Sequence, residues 1–134
     1  MNNEYENIHD NEILSYFVDI SNKILRLSTK YYDKEKTTIT FTSLMCHRFE
    51  NITYSNIIYG ITMIPIDEFI DANKEMLEEG LKNAFPMCLK DCEELRGILK
   101  EDNQKIFYIS SSLGLSGFVI AREICIETEQ LNKV

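Results

Sequence analysis

The chain has 134 residues, 44% of them hydrophobic and 27% charged, which is typical of one folded domain that buries its own core. The 22 Asp and Glu outnumber the 14 Lys and Arg, for a formal net charge of -8, and the basic residues are scattered. A nucleic-acid-binding protein needs concentrated Lys and Arg against the phosphates, so the composition argues against that class.

The chain also lacks the usual signals for secretion or membrane insertion. Residues 1–6 have neither the basic start nor the apolar core of a signal peptide. The longest apolar stretch, residues 57–70, is interrupted by Gly, Pro, Asp and Glu and is too short to span a bilayer. We therefore expect a cytoplasmic protein with no membrane contact and with its four cysteines reduced. We expect a single domain over residues 1–134, with residues 1–8 forming a loosely ordered N-terminal arm.

Alternating apolar and polar residues predict the early part of the chain to be β-structure. Residues 12–20 would place Leu14, Tyr16, Val18 and Ile20 on one face, and residues 23–31 would follow after a Ser-Asn turn as the second strand of a hairpin. Residues 37–49 begin with β-branched residues, and the blurred pattern at residues 44–46 marks either a bulge or a strand covered on both faces. Residues 57–64 fit a fourth strand or a buried helical turn.

The period of the apolar residues changes after Pro65. Spacings of three and four predict a helix over residues 67–85, which Pro86 would end. The run Asp91-Cys92-Glu93-Glu94 resembles a capping box and predicts a short second helix.

Two more strands are predicted near the end of the chain, over residues 105–112 and 118–127. The Ser- and Gly-rich residues 110–117 between them predict a hairpin connection. Both faces of the second strand are partly apolar, which is typical of an interior strand. The sequence therefore predicts an α+β fold: a mainly antiparallel sheet of about six strands, with two helices inserted between the early and late strands and packed on one face.

No residues form a recognisable catalytic, cofactor or metal site. Residues 110–117 match neither phosphate-binding glycine pattern, and a strand follows where a helix would be needed. His9 and His47 lack a nucleophile or ligand at a diagnostic spacing. Cys88 and Cys92 are four apart, but the predicted helix start at Asp91 separates them, and buried cysteine behaves as a small hydrophobe. We therefore assign no catalytic residue, metal or cofactor, and expect a protein that is not an enzyme.

The most specific functional feature is the charge of the predicted helices. Their carboxylates lie mostly opposite the apolar stripe, where they are either a solvated face or a docking surface for a basic protein. Exposed aromatic residues would anchor such a contact. The predicted partner-binding residues are Glu68, Asp71, Glu75, Glu78, Glu79, Glu93, Glu94, Tyr54 and Tyr59.

Three short motifs extend over most of the chain. They are His9-Asp10-x-x-Ile13, then Ile39-x-Phe41 leading through His47-Arg48-Phe49-Glu50-Asn51 towards Asn56-Ile57-Ile58, and the Ser111-Ser112-x-Gly114-x-Ser116-Gly117 segment before Phe118-Val119-Ile120-Ala121. This arrangement resembles the small α+β immunity proteins of bacterial polymorphic toxin and contact-dependent inhibition systems. The resemblance implies a cytoplasmic inhibitor that binds a toxin domain, such as a nuclease with a basic cleft, and blocks its active site.

Two other functions stay open at this point. One is an enzyme or small-ligand-binding protein whose site is assembled from scattered residues, with His47, a cysteine and a carboxylate converging in a pocket. The other is a structural homo-oligomer, which would share a large apolar patch between identical chains. The sequence leaves the partner's activity and the oligomeric state open.

Overall fold

The structure, a computed structural model, describes residues 4–5 and 8–131. Within them lie nine β-strands and three α-helices. The strands are β1 (Glu4–Tyr5), β2 (Glu12–Asp19), β3 (Ile24–Tyr31), β4 (Glu35–Thr42), β5 (Cys46–Glu50), β6 (Ile57–Ile64), β7 (Lys105–Leu113), β8 (Ser116–Ala121) and β9 (Glu123–Gln130). The helices are α1 (Ile66–Ala72), α2 (Lys74–Leu81) and α3 (Cys92–Glu101).

The strands form one antiparallel sheet in the order β5-β8-β7-β6-β2-β3-β4-β9, and the two-residue β1 pairs with the edge of β6. The predicted α+β class with a mainly antiparallel sheet is confirmed. The predicted number of about six strands is too low, because the chain bends within two of the predicted strands. Residues 37–49 cover most of β4 and β5, and residues 118–127 cover most of β8 and part of β9. Residues 57–64, which fitted a strand or a helical turn, form β6.

The two bends lie side by side and fold the sheet into two layers. Strands β4 and β5 run antiparallel to β9 and β8, with Thr42 opposite Glu123 and Cys46 opposite Ile120. Across the bend, the Arg122 amide donates to the Thr42 carbonyl (3.1 Å), and the Met45 amide donates to the Ile120 carbonyl (2.8 Å). We call β4–β5 with β8–β9 the bent ribbon. It carries the sheet from a first layer (β2-β3-β4-β9) to a second layer (β5-β8-β7-β6), as at the corners of orthogonal β-sandwiches.

The main core lies between these two layers. Strand β3 alternates as predicted and buries Leu25, Leu27 and Thr29. The predicted face of β2 is only partly right. The pairing with β3 shifts between Ile13 and Ser15, which reverses the side-chain directions, so Ile13 enters the core and Leu14 is exposed. Beyond the shift, Val18 packs on the core as predicted. The other side chains of this core include Ile39 and Phe41 of the first layer, with Ile58, Ile61, Phe107, Ile109, Val119 and Ala121 of the second.

The three helices follow β6 and cover the outer face of the second layer. Strands β7 and β8 are therefore covered on both sides: Ile106, Phe118 and Ile120 pack under the helices, while alternate residues face the first layer. The predicted interior position is right for β8, which lies between β5 and β7, and wrong for β9, which is an edge strand. Because the sheet is bent, the helices cover only one layer, not one face of a single sheet as predicted.

The number and length of the helices also differ from the prediction. The helix predicted over residues 67–85 divides at Asn73, whose backbone leaves the helical region (φ -120°, ψ 24°). The Asn73 side chain donates to the Phe69 carbonyl (2.8 Å), a local bond of the kind by which Asn competes with the helical pattern. The second piece ends at Leu81, five residues before the Pro86 that was expected to end it.

The predicted N-terminal arm is partly described. Glu4 and Tyr5 pair with Thr62 and Ile61, and Ile8 is fully buried in the main core. Residues 1–3 and 6–7 of that arm lie outside the described residues. Within the part of the chain that is described, the helices are too short and polar to cross a membrane.

Candidate protein-binding surface

Most of the net charge of the protein lies in the helical layer. Residues 66–102 contain eleven Asp and Glu and five Lys and Arg, for a net charge of -6 out of the total of -8. The remaining residues, which supply the strands, carry a net charge of only -2. The acidic character of the chain is therefore a property of one face of the fold.

Part of this acidic face is neutralised by Arg96 of α3. Its guanidinium contacts Asp67 (2.5 Å) and Asp71 (3.2 Å) of α1, and Glu93 one turn earlier (3.3 Å). Lys100 also contacts Asp67 (3.1 Å). The hydrogen bond from Arg96, followed by that from Lys100, holds the pKa of Asp67 below its usual value of 3.8. Two predicted partner-binding residues are thus in ion pairs: Asp71 in one that joins α1 to α3, and Glu93 in one within α3.

Another predicted partner-binding residue, Glu94, is part of the start of α3. The Glu94 amide donates to the Asp91 carboxylate (2.9 Å), and the Glu94 carboxylate accepts from the Lys90 amide (3.0 Å). The predicted N-cap at Asp91 is confirmed, although Glu94 reaches the residue before the cap. The first bond satisfies an amide that the helix leaves without an intrahelical partner, and the second fixes the residue before the cap. The Glu94 side chain is exposed, but its carboxylate already accepts a hydrogen bond from within the protein.

The carboxylates that remain free are concentrated on α2. Glu75, Glu78 and Glu79 are exposed on this helix, and the buried Leu77 fixes its opposite side. Glu79 contacts Lys82 (3.1 Å), a pair in which both side chains are largely exposed and which contributes little to stability. Within the described residues, Glu75, Glu78 and the exposed Glu68 of α1 have no ion-pair partner. We call Glu75, Glu78 and Glu79 the α2 acidic face.

Two surface grooves flank the α2 acidic face. The larger groove, about 690 Å³, runs between α2 and β5 and is lined by Glu75, Met76 and Glu79 on one side and Arg48 on the other. Arg48 also contacts Glu50 (3.5 Å). The smaller groove, about 320 Å³, lies on the α3 side of α2 and includes Glu78. A methionine beside two carboxylates suits a long basic side chain, which buries its aliphatic stem and keeps its charge at the surface.

The two predicted anchor tyrosines lie outside the helical layer. Tyr54 is 98% exposed in the loop between β5 and β6, and Tyr59 is 61% exposed on β6. The Tyr59 ring packs edge-to-face against His9 (5.1 Å between centroids). These contacts place Tyr59 beside the N-terminal segment, so the structure does not bring the tyrosines and the α2 acidic face into contact.

A buried side chain to which the sequence analysis gave no role, Asn56, positions the loop that carries Tyr54. Its Oδ1 accepts from the amides of Thr53 (3.0 Å) and Leu115 (2.9 Å), and its Nδ2 donates to the Thr53 carbonyl (2.7 Å). Leu115 belongs to the two-residue turn between β7 and β8, where Gly114 has φ 82°. The predicted hairpin connection is therefore confirmed, and Asn56 joins it to the neighbouring loop. The only local signal is an Asn directly before a strand.

The histidines and cysteines do not converge in the described structure. His9 lies 3.0 Å from the Tyr59 carbonyl and 3.4 Å from the Asp10 carboxylate at the surface. His47 is half-buried beside Phe49, and this burial lowers its pKa. Cys46 precedes His47 on β5, so the two side chains point to opposite faces of the strand, and burial raises the Cys46 pKa to about 12.

The cysteines that were weighed as metal ligands differ in environment. Cys88 is exposed and Cys92 is buried in the helical layer, where burial, and next the charge of Glu78, raise the Cys92 pKa. Among the residues described, no three His, Cys, Asp or Glu side chains cluster as metal ligands would.

Searches against protein-family models, curated proteins and solved structures find no match to this chain.

Proposed function

We propose that this chain is an acidic protein-binding domain that inhibits a basic protein, and that it acts as the immunity protein of a bacterial toxin. The observation that carries the proposal is the concentration of charge: a net -6 in the helical layer, with the free carboxylates on α2. The resemblance of the sequence to immunity proteins supports the same assignment.

The inhibition that we propose is occupation of a basic cleft. In a nuclease toxin, Lys and Arg side chains bind the phosphates of the substrate. The carboxylates of the α2 acidic face would take the place of those phosphates, and the groove between α2 and β5 would hold one basic side chain. Long-range attraction between opposite charges also speeds the encounter of two proteins. Such an inhibitor needs no catalytic residues and no cofactor.

The predicted binding residues are not equally free to contact a partner. Asp71, Glu93 and Glu94 already bind other groups of the protein, so a partner would have to compete for them. Glu75 and Glu78 have no such internal ion pair among the described residues. We therefore place the centre of the docking surface on α2, with Glu68 and Glu79 beside it.

The test is protection from the toxin in living cells. The gene upstream of this chain is expected to encode a large secreted protein with a variable C-terminal domain, and that domain is co-expressed with this chain while cell survival is scored. The Glu75→Lys, Glu78→Lys, Glu79→Lys triple variant is expected to lose protection. The matched control changes Glu123, Glu127 and Glu129 of the edge strand β9 to Lys. Both variants change the net charge from -8 to -2.

Purified proteins then separate docking from general electrostatics. The α2 triple variant is expected to bind the toxin domain more slowly than the β9 triple variant, and its association rate should depend less on salt. Circular dichroism establishes that both variants are folded. If both are folded and protect equally, the α2 acidic face is not the docking surface. If neither they nor the wild-type chain bind the toxin domain, the proposed function itself is wrong.

A further inference from the structure

A second candidate site lies at the bend of the sheet, away from the α2 acidic face. A cavity of about 400 Å³ opens where four parts of the chain meet. These parts are the turn between β2 and β3, the bent ribbon at residues 43–45 and 122, the loop at residues 86–87, and the segment after α3 at residues 102–104. Pockets between converging loops, with apolar walls and a few fixed polar groups, are where proteins usually bind small molecules.

The cavity is positively charged although the protein is acidic. Lys23 and Arg122 line it together with one carboxylate, Asp102. Arg122 is held in place: its Nε donates to the Asp102 carbonyl (2.9 Å), and its Nη2 pairs with the Asp102 carboxylate. The remaining Arg122 nitrogen, Nη1, and the Lys23 ammonium have no hydrogen bond or ion pair within the described residues. Cationic donors without partners are the groups that bind an anion such as a carboxylate.

A buried glutamine among the lining residues holds Asp102 in place. Gln104 is only 6% exposed, and its Nε2 donates to the Asp102 carboxylate (2.8 Å) and to the Ser43 carbonyl (3.3 Å). These two acceptors fix the orientation of the amide, since a flipped amide would point its oxygen at both of them. The Gln104 Oε1 is then buried without a donor among the described residues. The Oε1 itself is closed to solvent, whereas the bond from Gln104 to Asp102 fixes the carboxylate that holds Arg122.

The rest of the lining is apolar. Leu44 and Met45 come from the bent ribbon, and Pro86 and Met87 come from the loop before α3. Methionine side chains are flexible and polarizable and adapt to ligands of different shape. Together the lining offers a cationic end and an apolar wall.

We propose that this cavity binds the carboxylate end of an apolar amino acid. The carboxylate contacts Arg122 and Lys23, and the side chain packs on Met45 and Met87. This chemistry is shared by free N-acyl amino acids and by the C-terminal residue of a peptide. The site does not include the α2 acidic face, so the failure of one proposal would leave the other unaffected.

The test is a titration followed by the methionine methyl signals in NMR spectra. N-acetyl-L-leucine, with about 12 non-hydrogen atoms, is expected to bind with a dissociation constant of about 1 mM and to shift the Met45 and Met87 methyls. N-acetyl-L-leucinamide, which lacks the negative charge, should bind at least about tenfold more weakly. The tripeptide Ala-Ala-Leu, with a free or an amidated C-terminus, distinguishes the two sources: tighter binding of the free tripeptide than of N-acetyl-L-leucine indicates a peptide C-terminus.

Two lysine variants provide the control. Lys23→Gln is expected to weaken binding of N-acetyl-L-leucine about tenfold, because one charge-assisted contact is lost. Lys34→Gln, at another exposed turn, should leave it unchanged. The proposal is overturned by the absence of a saturable shift at about 20 mM ligand, well above the expected dissociation constant. Equal binding of the acid and its amide, or unchanged binding to the Lys23 variant, also overturns it.

Discussion

Replacing Asn56 by Ala should destabilise the protein and release the loop that carries Tyr54. The side chain is 8% exposed and makes three hydrogen bonds to the backbone. The Leu115 amide is buried and would lose its acceptor, at a cost of about 1–3 kcal/mol. The two bonds to Thr53 lie nearer solvent, and their loss adds about 1 kcal/mol. We therefore expect the free energy of unfolding to fall by about 2–4 kcal/mol.

The measurement is urea-induced unfolding followed by circular dichroism. The midpoint should fall while the slope stays the same, because the surface exposed on unfolding does not change. Asn83→Ala, at an exposed position in the loop after α2, is the matched control and should change the stability by less than about 0.5 kcal/mol. A cost below about 1 kcal/mol for Asn56→Ala would show that water replaces the side chain, and would refute the proposed role of Asn56.

A double-mutant cycle tests the same cluster of bonds from its other side. Gly114 has φ 82°, and a Cβ placed there would collide with the Asn56 Oδ1 and lie 2.9 Å from the Ser55 carbonyl. Gly114→Ala should therefore be destabilising. Since Asn56→Ala removes one of the two colliding groups, the double variant should lose less stability than the sum of the single losses. Strict additivity would mean that the two residues act separately.

Three further predictions concern the thiols, the response to acid and the helix cap. Cys88 and Cys125 are exposed whereas Cys46 and Cys92 are not, so a colorimetric thiol reagent should titrate two of the four thiols quickly and the others only after unfolding; rapid reaction of all four would contradict the structure. The pKa of Asp67 lies below 3.8 in the folded state, so its stabilising effect is present above that ordinary pKa and is lost as the pH falls through the lowered one. The difference in unfolding free energy between the wild type and Arg96→Gln should therefore shrink between about pH 6 and about pH 2, and a constant difference would show that Arg96 acts through packing. Asp91→Ala should cost about 1 kcal/mol in thermal or urea unfolding by removing the N-cap of α3, while Glu101→Ala in the last turn should cost less.

Features that depend on neighbouring residues could be predicted from the sequence. The alternation in β3, the hairpin between β7 and β8 and the N-cap at Asp91 all follow from residues a few positions apart. The acidic character of the helical region was also visible, because it needs only a count of charges and a helical period.

Features that depend on distant residues could not be predicted in the same way. Arg96 contacts carboxylates 25 and 29 residues earlier in the chain, so only the packing of α3 against α1 shows that Asp71 is neutralised. The bend of the sheet results from two strands turning together near Ser43 and Arg122, and each segment alone is predicted as one strand. The cavity at the bend is lined by parts of the chain from residue 23 to residue 122, so no short motif indicates it.

The bent ribbon has a consequence for how the protein is made. It joins residues 35–50 to residues 116–130, and its outermost side-chain contact, from Gln130 to Glu35, connects positions 95 apart. Pairing between such distant segments closes a large loop before it gains stability, which slows folding. A ribosome would release residues 35–50 long before their pairing partners, and both layers contain strands from the later segment. Neither layer can therefore be completed while translation of that segment is still in progress. Until then, the early hairpin and an open sheet edge of the nascent chain have to stay free of contacts with other chains.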